Sequence, residues 1–295
     1  MPSIRVIIGC DVDPVLPEVI HPGLGDSIWS NLHGVGKYLD DLKYLPPIAW
    51  LIRSDESVRV ATGSYDSGFS FAKEAWRTLE DAGHELGWHM HLITRSGDTF
   101  VFDDDPGWLA ESHAALQQHF CISTIRTGWD YGSTVAFNRF AELGVELDFS
   151  SLPGNRVWWN IFGRSITIDW LHSPITPYRM ASEGYTRSGR GKIWEVPVTQ
   201  FKNPLMRTLR RYGRRLTHGC VSWHGLRNKT LEITHRWETL PIPTGDTMAF
   251  YFHTDGLIAE GMENFHRNID LLKRHFECEF VRPKNLIPYL EKTHG

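Results

Sequence analysis

A helical stripe that stops at a glycine and runs straight into a β-rich segment constrains this chain more than any other feature. In FSFAKEAWRTLEDAGHELGWH, Phe69, Ala72, Trp76 and Leu79 recur at helical spacing and Gly83 supplies the stop. STVAFNRFAELGVELDFS repeats the phrase with Val135, Phe140, Leu143 and Gly144. Near the C-terminus, Met262, Phe265, Ile269, Leu272 and Phe276 lie on one face ahead of the short strand CEFV. Helices that feed strands imply parallel strands joined by right-handed crossovers. IRVIIGCD (4–11) and PIAWLI (47–52) are the first two strands, and an α/β fold with one barrel-like domain over 1–295 follows. A length of 295 residues with 41% hydrophobic content suffices for such a core. Residues 14–46 and 202–246 read as loop insertions, the second with a basic character.

Thirty-one basic residues against 35 acidic ones give a net charge of −4, so no nucleic-acid partner is expected. Cys10, Cys121, Cys220 and Cys278 lack CxxC spacing, and MPSIRVIIGCDVD lacks an apolar signal segment, which points to free thiols and a cytoplasmic location. No apolar run reaches the roughly 18 residues that span a bilayer, so membrane contact is expected to be at most peripheral.

The polar residues at the strand ends carry the chemistry. In CDVD, Asp11 and Asp13 are two apart after an apolar strand, so the strand period turns both carboxylates to one side. They can start a turn before Pro14, or they can serve a cation. His89 and His91 alternate in the same way in GHELGWHMHL, a spacing that suits a divalent metal, and His84 is left out of the site. Arg126 in STIRTGWDYGS and His253 in MAFYFHTDG also stand where strands stop. Each has a plain explanation alone, but in a parallel barrel these strand ends converge on the face where active sites form. A metal triad, a spare carboxylate, a spare histidine and a cation are what metal-assisted amide hydrolysis needs.

The order CDVD, GHELGWHMH, IRTGWDYGS, LGVELDFSSLP, WEVPVT, FYFHTDGL and HRNIDLLKRHFECEFV resembles the polysaccharide deacetylase (NodB-homology, carbohydrate esterase family 4-like) superfamily over roughly residues 4–290. The resemblance implies a distorted (β/α) barrel of about seven strands and hydrolysis of an N- or O-acyl group from a sugar or related amide with one divalent metal. It assigns Asp11 as base, Asp13 and His89 as metal ligands, Arg126 as the residue that holds the base, and His253 as general acid. The usual second histidine falls at Ile93, so His91 is taken as the third ligand. Val12, Pro14 and Gly128 also depart from the family pattern, which marks a divergent branch.

The expected enzyme is therefore a metal-dependent deacylase of an acylated sugar, nucleotide-sugar, lipid-linked sugar or related amide. Zinc is the foremost ion, with cobalt, manganese and iron as alternatives. Asp169 in ITIDWLH is a candidate carboxylate partner for His253, with an ordinary loop aspartate as the alternative. In LMRTLRRYGRRL (205–216), Arg210, Arg211 and Arg214 either solvate a surface helix or meet an anionic substrate, and Trp129 is a further substrate contact. The alternative from another class is a catalytically silent carbohydrate-binding protein on the same fold.

Overall fold

The computed structural model describes residues 1–17, 20–161, 164–202, 228–243 and 245–294. Its strands are β1 (Ser3–Val12), β2 (Ala49–Arg53), β3 (Glu85–Met90), β4 (Ile93–Ser96), β5 (Thr99–Phe102), β6 (Thr124–Thr127), β7 (Leu147–Asp148) and β8 (Arg156–Ile161). They continue with β9 (Arg164–Asp169), β10 (Tyr178–Ala181), β11 (Gly184–Ser188), β12 (Trp194–Glu195), β13 (Phe201–Lys202), β14 (Asn228–Lys229), β15 (Thr247–His253) and β16 (Glu277–Phe280).

The apolar, β-branched run SIRVIIGCDV makes β1 a strand covered on both faces, as parallel strands between helices are. The main sheet runs β11-β10-β12-β7-β6-β3-β2-β1-β15, with β16 also paired to β1. Pairing is parallel from β12 to β15, and β10 and β11 add an antiparallel edge. Ten strands thus share a sheet for which about seven were expected; the antiparallel pair and β16 enlarge it. Beyond β12, Val198 bridges Ala249 of β15, and the Thr199 N–H donates to the Ala249 carbonyl at 2.9 Å, so the segment that follows β12 reaches round to β15.

Ile7, Ala49, Leu51, Leu147, Phe149, Trp194, Val196 and Ala249 pack together with Leu286 and Leu290 of the helix Pro283–His294. This helix sits at the strands' N-terminal end, where the Lys284 N–H donates to Glu85, the first residue of β3. The opposite end holds the site. A larger core lies between the sheet and the flanking helices, with Val6, Ile8, Trp50, Trp88 and Phe252 among its members. Glycines keep the interior tight: a Cβ on Gly87 would lie 2.7 Å from the Thr124 carbonyl oxygen.

Two expected helices differ in detail. The stripe over 69–79 is divided at Ala72, whose φ of −122° is not helical, into Ser67–Phe71 and Lys73–Asp81. In Thr134–Glu142 the buried face is Ala136, Phe137 and Phe140, whereas Val135 is exposed. The segment 14–46, expected as loop, contains a 3-10 stretch Gly25–Leu32 and a helix His33–Leu42. Most of the expected 202–246 insertion, including Arg210, Arg211 and Arg214, lies outside the described residues, as does Cys220; Cys10, Cys121 and Cys278 are free. No helix among the described residues is long and apolar enough to cross a membrane.

Candidate active site

Strand register assembles the site. Asp11 of β1 lies opposite His253 of β15, Arg53 of β2 opposite His89 of β3, and His89 opposite Arg126 of β6. Asp11 follows Ile7 at even spacing and Arg53 follows Ala49 and Leu51, so the parity that turns apolar residues into the interior turns these polar ones into its mouth. Asp13 and His91 continue the parity just beyond their strands.

Asp11 is fully buried, and the two oxygens of its carboxylate have different surroundings. Oδ2 accepts from the Arg126 guanidinium, whereas Oδ1 is buried without a hydrogen-bond partner, 3.9 Å from His89 Nδ1. Arg126 also binds Asp130 at 2.6 Å and lies 4.1 Å above the Tyr251 ring. Burial pushes the Asp130 carboxyl up to about 6 against the pull of Arg126. Asp130 and Trp129 both have φ of 54°, a left-handed backbone that costs non-glycine residues about 1–3 kcal/mol. Trp129 thereby lays its ring 3.9 Å from that of His91.

Asp13, His89 and His91 form a cluster whose ligand atoms lie within 4.8 Å of one another. His89 Nδ1 donates to the Arg126 carbonyl at 2.7 Å, which turns Nε2 toward the cluster, 3.6 Å from Asp13 Oδ1; burial opposes the imidazolium, but the Asp11 and Asp13 charges raise the His89 pKa, so an ion bound here would displace the Nε2 proton. His91 Nε2 is 3.7 Å from the same oxygen. Burial and the nearby Arg53 and His89 charges drive the His91 pKa well below its ordinary value, so His91 is neutral, as a ligand must be. Burial works against the Asp13 anion, but His89 and Arg53 outweigh it and hold its carboxyl well below the usual range. One carboxylate and two imidazoles converging on one point fit a divalent ion.

The acid side is built around His253. Its Nδ1 donates to Glu232 at 3.0 Å, its N–H donates to the same carboxylate, and its Nε2 faces Asp11 Oδ2 at 3.7 Å. Burial opposes the imidazolium, but the Glu232 hydrogen bond and the Asp11 charge prevail and lift the pKa to about 9. Asp169 is not the carboxylate on His253: it pairs with Arg156 across the β8–β9 hairpin. The reason is topological, since Glu232 is drawn in where the Ile233 N–H donates to Tyr251 of β15.

Sequence reasoning also passed over Arg53, Asp55, Asp130 and Asn31. Arg53 binds Asp13 at 2.9 Å and Asp55 at 2.8 Å while only 6% exposed. Asp55 caps the helix Glu56–Thr62 through Ser57 and Val58 and accepts from the His91 N–H. Asn31, from the segment expected as loop, donates to the Asp13 carbonyl at 2.5 Å and to Thr254 at 2.8 Å. Arg53 and Asp55 did leave a signal, because WLIRSD places two charges two apart at a strand end, as CDVD does. His84 belongs to the core, accepting from the Ile48 N–H.

No family model and no curated protein matches the sequence. Solved structures do match. A "putative polysaccharide deacetylase" from Mycobacterium smegmatis superposes with a TM-score of 0.57 at 14% identity, covering 99% of this chain and 92% of that one. A second, a "putative polysaccharide deacetylase involved in o-antigen biosynthesis" from Bordetella bronchiseptica, gives a TM-score of 0.34 at 14% identity over 85% of this chain and 71% of that one, too loose to speak to the fold. By its fold, this chain is similar to the Mycobacterium smegmatis structure over nearly its whole length.

Proposed function

We propose that the protein is a metal-dependent hydrolase that removes an N- or O-acyl group from a sugar or a related amide. The observation that carries this reading is Asp11: one oxygen is fixed by Arg126, the other is buried and unpartnered, and a charged histidine stands opposite. A buried carboxylate oxygen that no protein group satisfies is costly, and a catalytic role is one of the reasons such an oxygen is kept.

Asp13, His89 and His91 would hold a divalent ion, which supplies Lewis acidity toward the acyl carbonyl and the attacking water. Asp11 Oδ1 accepts the proton of that water, and Arg126 fixes the orientation of the carboxylate. His253, kept protonated by Glu232, gives its Nε2 proton to the departing amine or alkoxide. Trp129, whose ring lies against His91, is the aromatic group we assign to a sugar ring. Zinc is the ion we favour for an Asp–His–His set.

The Arg53–Asp13 ion pair is the observation that favours a silent carbohydrate binder, since it neutralises Asp13 with no ion required. Release of acetate or formate from acylated amino sugars, with and without chelator, separates the two readings. Chelator-sensitive release with about one bound divalent ion supports the hydrolase, and His91→Ala should empty the site as His89→Ala does. Full metal content and full activity in His91→Ala would place the third ligand elsewhere.

A further inference from the structure

The helix Ala259–His275 leaves the catalytic end a few residues after His253 and delivers its last turn to the opposite end, beside β16. Against that last half lies a cavity of about 450 Å³ lined by Arg236, Glu238, Arg267, Leu271, Arg274 and His275, among others. Ala259 and Arg274 are fifteen residues apart, so helix rise alone separates Arg274 from the catalytic end by about 22 Å.

Its walls are fixed to one another. Buried Asn268 donates to the carbonyls of Ile233 and His235 at 2.8 and 2.7 Å, which ties the helix to the segment leading into Arg236. Trp237, 2% exposed, donates to the Glu232 carbonyl and packs on Phe201 and Phe250. The cationic groups therefore stand on two anchored elements.

Three arginines and a histidine, all exposed, line the cavity with a single carboxylate, Glu238, in a chain whose net charge is −4. Among the described residues the arginines in ion pairs are Arg5, Arg53, Arg59, Arg77, Arg126, Arg139, Arg156 and Arg179, and none of the cavity's arginines is one of them. Residues 203–227 contain no Asp or Glu, so that stretch supplies no counter-charge. Complementing a helix C-terminus explains Arg274 and His275, but Arg267 lies two turns earlier and Arg236 lies off the helix.

We propose that this cavity is a second binding site, separate from the catalytic end, for the diphosphate group of a soluble phosphate ester. Guanidinium forks match phosphate oxygens in pairs, and several such groups around one concavity suit more than one phosphate. The volume exceeds what a lone phosphate fills and falls in the range of small-ligand pockets, roughly 300–1,000 Å³.

Calorimetric titration of the full chain with inorganic pyrophosphate, in chelator and at low salt, tests this. One saturable site is expected, weakening as salt rises. Arg267→Gln/Arg274→Gln should lose at least about tenfold in affinity with an unchanged unfolding midpoint, while His89→Ala binds as the parent does. Arg236→Gln, off the helix, repeats the test should the double variant fold poorly. ADP should bind the same site competitively, and vesicles containing phosphatidic acid should not retain the chain. Absence of saturable binding, loss in His89→Ala and not in the arginine variants, or vesicle retention without pyrophosphate binding would each overturn the proposal.

Discussion

At the scale of single residues, the division of labour at Asp11 and His253 leads to a clean separation of binding from chemistry. Neither belongs to the Asp13–His89–His91 cluster. Asp11→Asn and His253→Ala should therefore keep their metal, measured by elemental analysis, and lose turnover by at least about a hundredfold. Parental rates in both would remove the acid–base assignment. Glu232 sets the state of its neighbour, since His253 rises from its ordinary 6.5 to about 9 in its company. A raised folded pKa contributes stability that is complete below the ordinary value and is lost as pH climbs through the folded one. Glu232→Gln should accordingly lower the His253 pKa in chelated protein, followed by imidazole NMR, and destabilise the fold near pH 6 more than near pH 9.5. A His253 titration unmoved by the substitution would show that the carboxylate does not govern it.

Elements explain why the site is as close-fitting as it is. His91 has room only because residue 128 has no side chain: a Cβ there would lie 1.7 Å from His91 Cδ2. Gly128→Ala should displace the imidazole and weaken metal affinity about 10–100-fold while leaving the circular dichroism of the sheet unchanged. Metal titration of the variant measures it, and parental affinity would mean that His91 is not a ligand.

The legibility of these features follows from their range. β1, β3 and β15 were readable because short, nearly continuous apolar runs end in aspartate or histidine. Glu232 was not, because what places it is a backbone hydrogen bond to Tyr251, nineteen positions after it, and TLEITHRW shows no period. The helix His33–Leu42 was hidden by Gly34 and Gly36, residues that read as loop. A Cβ at Gly34 would lie 3.4 Å from the Leu257 carbonyl oxygen, a fit that no local pattern announces.

For the whole molecule, the ring of strands is fastened unevenly. Neighbours such as β1 and β15 share ladders of several residues, but the segment after β12 is joined to β15 by the Val198–Ala249 bridge and two hydrogen bonds, in which the Thr199 N–H donates to the Ala249 carbonyl and the Ala249 N–H donates to the Thr199 hydroxyl. Thr199→Val removes that hydroxyl and leaves the Ala249 N–H buried without a partner, at a cost of about 1–3 kcal/mol. Hydrogen exchange at Ala249 should accelerate in this variant while Ile8, in the middle of β1, stays protected; equal acceleration at both would mean that the ring opens everywhere at once. The fastening acts as a clasp. Released, it lets the ring spread without unzipping any ladder of the main sheet, and Asp11 and His253 travel together because their strands are paired side by side. Arg126, three strands further round, reaches Asp11 only across the interior, so warming should draw the guanidinium off the carboxylate and extinguish turnover while the sheet itself is still whole.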